Sequence, residues 1–288
     1  MSPAAGALTG LHWHADGYAS LSGPLLALAG ALDRRFLACA ATAPLVEHAA
    51  PSFIALADLE PLGYLGSFPH LATFATTLSR DAGALRDFAA AHGRSTTIPP
   101  QVNWEPARQV LTPAACYHLY HRLRHQALPE DTYLTIRAHC HRCEASYAPL
   151  ARQWCFQMRE LVCIGAAASV ESFVAGCKAR IDALARTLGI AAEWRLATDP
   201  FFDPDEDPKA LAQRVAPVKT ELTLSDGLAI TSINRHGSYF GERYGITRAG
   251  EPAHSACVAF GIERWLLALI RVRGPRPESW CFDAAAAA

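Results

Sequence analysis

Two kinds of hydrophobic pattern divide the chain. Residues 134–136 and 154–165 are apolar and β-prone, and the stretch between them is polar and arginine-rich, which predicts two strands joined by a long charged loop. Residues 219–224 and 228–234 alternate apolar and polar side chains around Ser225-Asp226-Gly227, the pattern of a β-hairpin and of further strands in an antiparallel sheet. Residues 192–197 predict a short strand. Residues 25–41, 79–93, 169–188 and 256–271 each predict a helix; Gly189 ends the third and Gly274-Pro275 the fourth. Thr112-Pro113-Ala114-Ala115 predicts one more helix start, with Thr112 as cap and Pro113 in the first turn, and that helix carries Cys116, His118, His121 and His125. Residues 99–113 predict loop and strand. Residues 199–210 (acidic, proline-rich) and 235–244 (charged, aromatic) predict loops, as does the segment around His12 and His14.

Composition narrows the class. With 288 residues, 51% of them hydrophobic, the chain is expected to form one large domain, residues 1–22 and 276–288 being peripheral. A net charge of −1 argues against a long nucleic acid as main partner. No apolar run reaches membrane-spanning length, so no membrane association is expected. The first residues, MSPAAGALTGLHWHADGY, lack a basic segment followed by an apolar core, and the nine cysteines are unevenly spaced. Both features predict a cytoplasmic protein with mostly free thiols. There is no internal repeat.

Candidate chemistry gathers on the 134–165 stretch. In an extended segment Arg142 and Glu144 share a face. Arg152 and Phe156 lead into the return strand. Guanidinium forks suit phosphate oxygens and a phenyl ring can stack on a flat base, so the set reads as a nucleotide site gripped by arginine; the competing reading is a solvated hairpin with surface arginines. His118, His121 and His125 form a stripe that reads as an exposed helix face more readily than as a metal site. His139-Cys140-His141-x-Cys143 has zinc-like ligand density, but neighbours on an extended chain point opposite ways and no second ligand pair follows.

Arg142-Cys143-Glu144, Arg152-x-x-x-Phe156 and Met158-Arg159-Glu160 together resemble motif 2 of the class II aminoacyl-tRNA synthetases. Phe260-Gly261-Ile262-Glu263-Arg264 resembles their motif 3, and residues 51–71 resemble the motif 1 region, a helix and strand at the dimer interface. The resemblance is closest to the zinc-dependent atypical seryl-tRNA synthetases of methanogens and their truncated homologues, the amino acid:[carrier protein] ligases. It covers roughly residues 50–275. It rests also on Tyr64-Leu65-x-Ser67-Phe68-Pro69, Cys116, Asp199-Pro200-Phe201-Phe202, Ser232-x-Asn234-x-His236 with Phe240-Gly241, and Cys257. The sequence carries no basic coiled-coil arm for tRNA.

The resemblance implies an α+β fold, the class II catalytic core with an antiparallel sheet flanked by helices, in a homodimer. It implies ATP-dependent activation of glycine or alanine to the aminoacyl-adenylate, then transfer to the phosphopantetheine thiol of a carrier protein. By the same resemblance Arg142 would hold the α-phosphate, Glu144 the adenine amino group and Arg152 the γ-phosphate. Phe156 and Arg264 would sandwich adenine, Lys219 would meet ATP or the adenylate, and the backbone of Ala229 to Ser232, Thr231 included, would line the adenosine. Cys116, Glu160 and Cys257 would hold Zn²⁺, whose open position takes the substrate amine; Asn234 would also contact the substrate. Mg²⁺ would bridge the phosphates, with Glu221 or the acidic 199–210 loop as candidate ligands. Alternatives are an atypical enzyme acting on tRNA and a non-catalytic regulator; the latter commonly loses an ATP arginine, and Arg142, Arg152 and Arg264 are all present.

Overall fold

The structure, a computed structural model, describes residues 8–280; residues 1–7 and 281–288, part of the expected periphery, lie outside the described residues. Its centre is a seven-stranded sheet made of β1 (Val46–His48), β2 (Thr132–His141), β3 (Cys155–Gly165), β4 (Glu193–Ala197), β5 (Lys219–Thr223), β6 (Ala229–Gly237) and β7 (His254–Gly261). The strand order is β4-β5-β6-β7-β3-β2-β1. Every neighbouring pair is antiparallel except the short edge strand β1, which runs parallel to β2. The architecture is the expected α+β one, a mainly antiparallel sheet flanked by helices.

Successive side chains on a strand point to opposite faces, and here the two faces have different tasks. Leu161 and Cys163 of β3, with Ala256, Val258 and Phe260 of β7, pack under helices Gly23–Ala38, Ala167–Leu188 and Ile262–Arg273. Phe36 stacks on Phe260 at 4.4 Å there. Val162 and Ile164, with Cys257 and Ala259, face the other way, towards the short helices Tyr117–Arg122 and Tyr239–Tyr244. Tyr120 and Phe240 from those two helices stack at 3.8 Å. The functional groups described below lie on this second face.

Several expectations change. Residues 256–271 are not one helix: β7 runs His254–Gly261 and the helix starts at Ile262. The strand is central and its residues 255–260 are buried on both faces, so its sequence is an unbroken apolar run that periodicity alone does not separate from a helix. Cys257 therefore sits within a strand. β2 continues to His141, through residues expected in a loop, because Ala138 and Cys140 alternate inward against outward His139. Thr112 does not cap a helix. The helix begins only at Tyr117, because the amides of Ala115 and Cys116 are taken by the Glu160 carboxylate, and the Thr112 hydroxyl meets His118 at 3.0 Å. The histidine stripe disperses accordingly: His121 pairs with Asp58 at 3.3 Å and His125 lies past the helix at φ 61°.

Smaller shifts follow local chemistry. The 79–93 helix is Ala82–His92, capped by Asp81, and the 199–210 loop ends in helix Pro208–Val215, capped by Asp207. The 235–244 segment is the end of β6 and helix Tyr239–Tyr244, not a loop. His12 and His14 lie on a strand, Leu11–His14, hairpinned with Tyr18–Leu21. The third helix, Ala167–Leu188, ends as expected at Gly189, whose φ of 74° suits a residue without Cβ. The eight described cysteines form no disulfide, and no described helix is long and apolar enough to cross a membrane.

Candidate active site

Three ligand-type side chains converge from distant parts of the sequence. On the β3–β7 ladder Glu160 faces Ala259 and Val162 faces Cys257, so Glu160 and Cys257 are diagonal neighbours on one face. Ala259 is small and leaves the space beside Glu160 open. Cys116 arrives from the turn before helix Tyr117–Arg122, drawn in because Glu160 Oε1 accepts the Ala115 amide at 2.9 Å and Oε2 accepts the Cys116 amide at 3.1 Å. The Cys257 thiol donates to Glu160 Oε2 at 2.9 Å. All three residues are buried, and their ligand atoms lie within 4.8 Å of one another.

The chemistry of this donor set fits a zinc ion. Two sulfurs and one carboxylate oxygen in tetrahedral coordination stand about 3.5–3.8 Å apart and leave one position open; the observed cluster reaches this by small shifts, its 2.9 Å Cys257–Glu160 contact lengthening and its wider separations closing. The electrostatics agree. The Cys116 thiol is pushed up to about 11: its hydrogen bond with Cys257 lowers it, but burial and the charge of Glu160 raise it further. The Cys257 thiol is raised well above its ordinary range by burial, by Cys116 and by Glu160. Two buried thiols that resist ionising beside a carboxylate are the environment a divalent cation stabilises. The competing His139-Cys140-His141-x-Cys143 set is not assembled: Cys140 is buried while His139 and Cys143 are exposed.

The same cluster lines one cavity of about 430 Å³, which also takes in Arg142, Phe156 and Arg264. Arg142 follows β2 directly; its Nε donates to the Pro113 carbonyl at 3.2 Å and its guanidinium lies 5.4 Å from the centre of the Phe156 ring. Arg264, in the first turn of helix Ile262–Arg273, donates to the carbonyls of Ala151 at 2.8 Å and Ala229 at 2.9 Å. It thereby ties the hairpin tip to the start of β6. Glu144 and Arg152 form an ion pair with each other across the hairpin loop. The Thr231 hydroxyl accepts the Trp265 indole at 2.9 Å on the helix side of the sheet, leaving its backbone to the cavity. Ala229 and Ser232 also line the cavity, and Asn234 Nδ2 is 3.4 Å from the Ser232 hydroxyl.

Opposite ends of the cavity are set by register. Arg264 binds Ala229, while Asn234 pairs with Cys257. Five residues of strand at about 3.4 Å each separate the arginine end from the cysteine end by roughly 17 Å. Level with the cysteine end, where it pairs with Asn234, Lys219 is buried, with Nζ 3.0 Å from Asp199 and 3.1 Å from Glu221, the candidate Mg²⁺ contacts. Burial raises the Asp199 carboxyl, but Lys219 and the Gln213 amide outweigh it and hold the group below its usual range.

Several lining residues carried little signal in the sequence. Lys209, inside a run read as an acidic loop, donates to the Leu62 carbonyl and the Ser67 hydroxyl, both at 2.8 Å, and closes helix Pro208–Val215 over the cavity. The Tyr64 ring lines the cavity, and its buried hydroxyl has no partner among the described residues. Glu263 is buried, and its two carboxylate oxygens share the Gln157 amide at 3.1 and 3.0 Å. Burial pushes this carboxyl up to about 7 in spite of that bond. The sequence marks it by its place in the motif-3-like run and as an acid beside Arg264 in an otherwise apolar helix start.

No family model matches the sequence. The chain is 36% identical over 241 residues to amino acid--[acyl-carrier-protein] ligase 1 of Bradyrhizobium diazoefficiens, covering 80% of this chain and 72% of that one. It is 35% identical over 242 residues to ligase 2 of the same organism, covering 80% and 70%. Among solved structures, the SerRS of M. kandleri in complex with A. aeolicus tRNASec superposes with a TM-score of 0.80 at 19% identity, over 96% of this chain and 57% of that one.

Proposed function

Since the chain belongs to the amino acid--[acyl-carrier-protein] ligases and has the class II aminoacyl-tRNA synthetase fold, we propose that it activates a small amino acid, glycine or alanine, with ATP and passes it to the phosphopantetheine thiol of a carrier protein. The observation that supports this most directly is one cavity with two chemically different ends. Arginines and a phenyl ring stand at one end, and Cys116, Glu160 and Cys257 at the other.

In the first step the substrate carboxylate attacks the α-phosphorus of ATP. An acyl–phosphate bond forms, and the bond to the departing diphosphate breaks. Arg142 stabilises charge on the α-phosphate; its fixed bond to Pro113 means that little reorganisation is needed when the charge develops. Phe156 and Arg264 hold the adenine between them, with the backbone of Ala229 to Ser232 along the adenosine. Glu144 and Arg152, paired with each other here, separate to take the adenine amino group and the γ-phosphate. Lys219, neutralised by Asp199 and Glu221, is poised between nucleotide and amino acid, with Mg²⁺ accompanying the phosphates. In the second step the carrier thiol attacks the acyl carbon, loses its proton, and AMP leaves.

Cys116, Glu160 and Cys257 would hold Zn²⁺, which when bound supplies a Lewis-acid position for the free amine of the substrate. Asn234, beside Cys257, contacts the same substrate. Substrates without an amine are excluded, and the carboxylate is aimed at the Arg142 end. A homodimer belongs to the same proposal, supported by the apolar surfaces of Phe53 and Phe74, 50% and 49% exposed on the small sheet beside the motif 1 region, which it would bury.

Amino-acid-dependent ATP–pyrophosphate exchange tests this reading, on protein assayed for zinc. Exchange with glycine or alanine, followed by thioester formation on a phosphopantetheinylated carrier protein, is the expected result. No exchange with any amino acid from zinc-loaded protein overturns it.

A further inference from the structure

β6 carries the cavity beyond the cysteine end. Ser232, Asn234 and His236 share its cavity face, two residues or about 7 Å apart each. Ser232 pairs with Ala259 and Asn234 with Cys257, and past a bulge β6 runs alongside Ser255. His236 thus lies one step farther from the arginine end than the Cys116–Glu160–Cys257 cluster. An amino acid with its amine at that cluster and its carboxylate towards Arg142 has one group left over, the substituent on its α-carbon. His236 stands at the far end of the cavity that remains for it.

The ring is held firmly. Its centre is 4.7 Å from Phe240 and 5.7 Å from Tyr120, both edge-on. Nδ1 is 3.2 Å from the Tyr120 hydroxyl and 3.2 Å from the Ser255 hydroxyl. Both hydroxyls thus converge on the same ring nitrogen. With two hydroxyl groups aimed at it, Nδ1 is assigned as the acceptor of the neutral ring. Nε2 therefore carries the hydrogen, and among the described residues no partner takes it.

We propose that His236 is a specificity-determining residue of the activation step, an inference that rests on the ligase reading above. Its ring closes the side-chain end of the cavity against β-branched and longer substrates. Its unpartnered Nε2–H makes that end polar, so an apolar side chain pressed against it strands a hydrogen-bond donor. Glycine and alanine leave the N–H accessible to water. Tyr120 and Ser255 act through His236 as positioning residues: they fix the ring plane and its tautomer.

The test is the ratio of kcat/KM for valine to that for alanine in ATP–pyrophosphate exchange, with the KM for ATP and bound zinc measured alongside. His236→Ala opens the end of the cavity and is expected to raise the ratio at least about tenfold, with ATP KM and zinc unchanged. His236→Asn, smaller but still able to accept from Tyr120, moves it in the same direction. His236→Gln, of similar reach and with an N–H near the Nε2 position, keeps the wild-type ratio. An unchanged ratio in whichever of the Ala and Asn variants folds overturns the role of His236 while leaving the ligase reading intact. Absence of exchange by zinc-loaded wild-type protein with every amino acid overturns both.

Discussion

Cys257 Sγ lies 2.9 Å from Glu160 Oε2, a contact made between neighbouring strands by residues nearly a hundred positions apart. With Cys116 they form the sole group of three or more metal-ligating side chains gathered closely enough for an ion among the described residues. Cys257→Ser is expected to reduce bound zinc at least tenfold and to abolish amino-acid-dependent exchange. Metal analysis beside the exchange assay checks this. Removing the metal with a chelator should lower the thermal midpoint, and adding zinc back should restore it; a midpoint indifferent to chelation speaks against the site.

Arg142 is held over Phe156 and against Pro113 before any nucleotide arrives. Arg142→Ala should slow exchange about 100-fold, the scale of losing one preorganised donor to developing charge. Bound zinc should remain unchanged, since Arg142 does not contact the cluster. Arg142→Lys should recover little, because one ammonium does not reproduce the planar fork.

Part of this site was legible in the sequence and part was not, for physical reasons. The hairpin of β5 and β6 was readable because Ser225-Asp226-Gly227 gives a turn between alternating strands, and Gly227 indeed has a φ of 83°. Phe156 and the arginines announced themselves through charge beside an aromatic. Cys116, Glu160 and Cys257 did not: no spacing rule joins them, and only strand register and the two amides donated to Glu160 bring them together. Without the resemblance to a known family they would have passed as two small hydrophobes and a stray acid. β7 was misread as helix because burial on both faces erased its alternation. Lys209 was hidden in a run whose composition points to solvent.

Glu263 makes stability depend on pH. Burial lifts its carboxyl from 4.5 to about 7, so between those values the folded chain keeps a proton that the unfolded chain has released. Its contribution favours folding most fully below about pH 4.5 and is lost as pH rises through 7. Glu263→Gln removes this titration and keeps an acceptor for the Gln157 amide. Between pH 5 and pH 8 the variant should gain on the wild type by an amount on the order of 3 kcal/mol. Urea denaturation at the two pH values measures it; parallel curves refute the assignment.

The opposite face of β3 carries a buried pair. Arg159, 3% exposed, donates from Nε and from a terminal nitrogen to the two Asp33 oxygens, each at 2.8 Å, linking helix Gly23–Ala38 to the strand that bears Glu160. Asp33→Ala leaves a buried guanidinium with the exposed Glu47 as its one carboxylate and the Thr135 hydroxyl beside it, and should cost about 3–5 kcal/mol, read from the denaturation midpoint. Arg159→Met with Asp33→Leu should recover most of it.

The alternation along β3 and β7 has a consequence for the folding of the chain. Sliding β7 by one residue against β3 would turn Cys257 beneath the helices and bring Val258 or Ala256 into its place. Such a misthreaded sheet could still be apolar on both sides, so hydrophobic collapse alone discriminates poorly against it. Coordination does discriminate, because only one alignment presents Cys257 beside Glu160. The ligand cluster is thus a gauge of strand alignment: a spectroscopic metal ion added during refolding would count correctly threaded molecules long before any substrate is turned over.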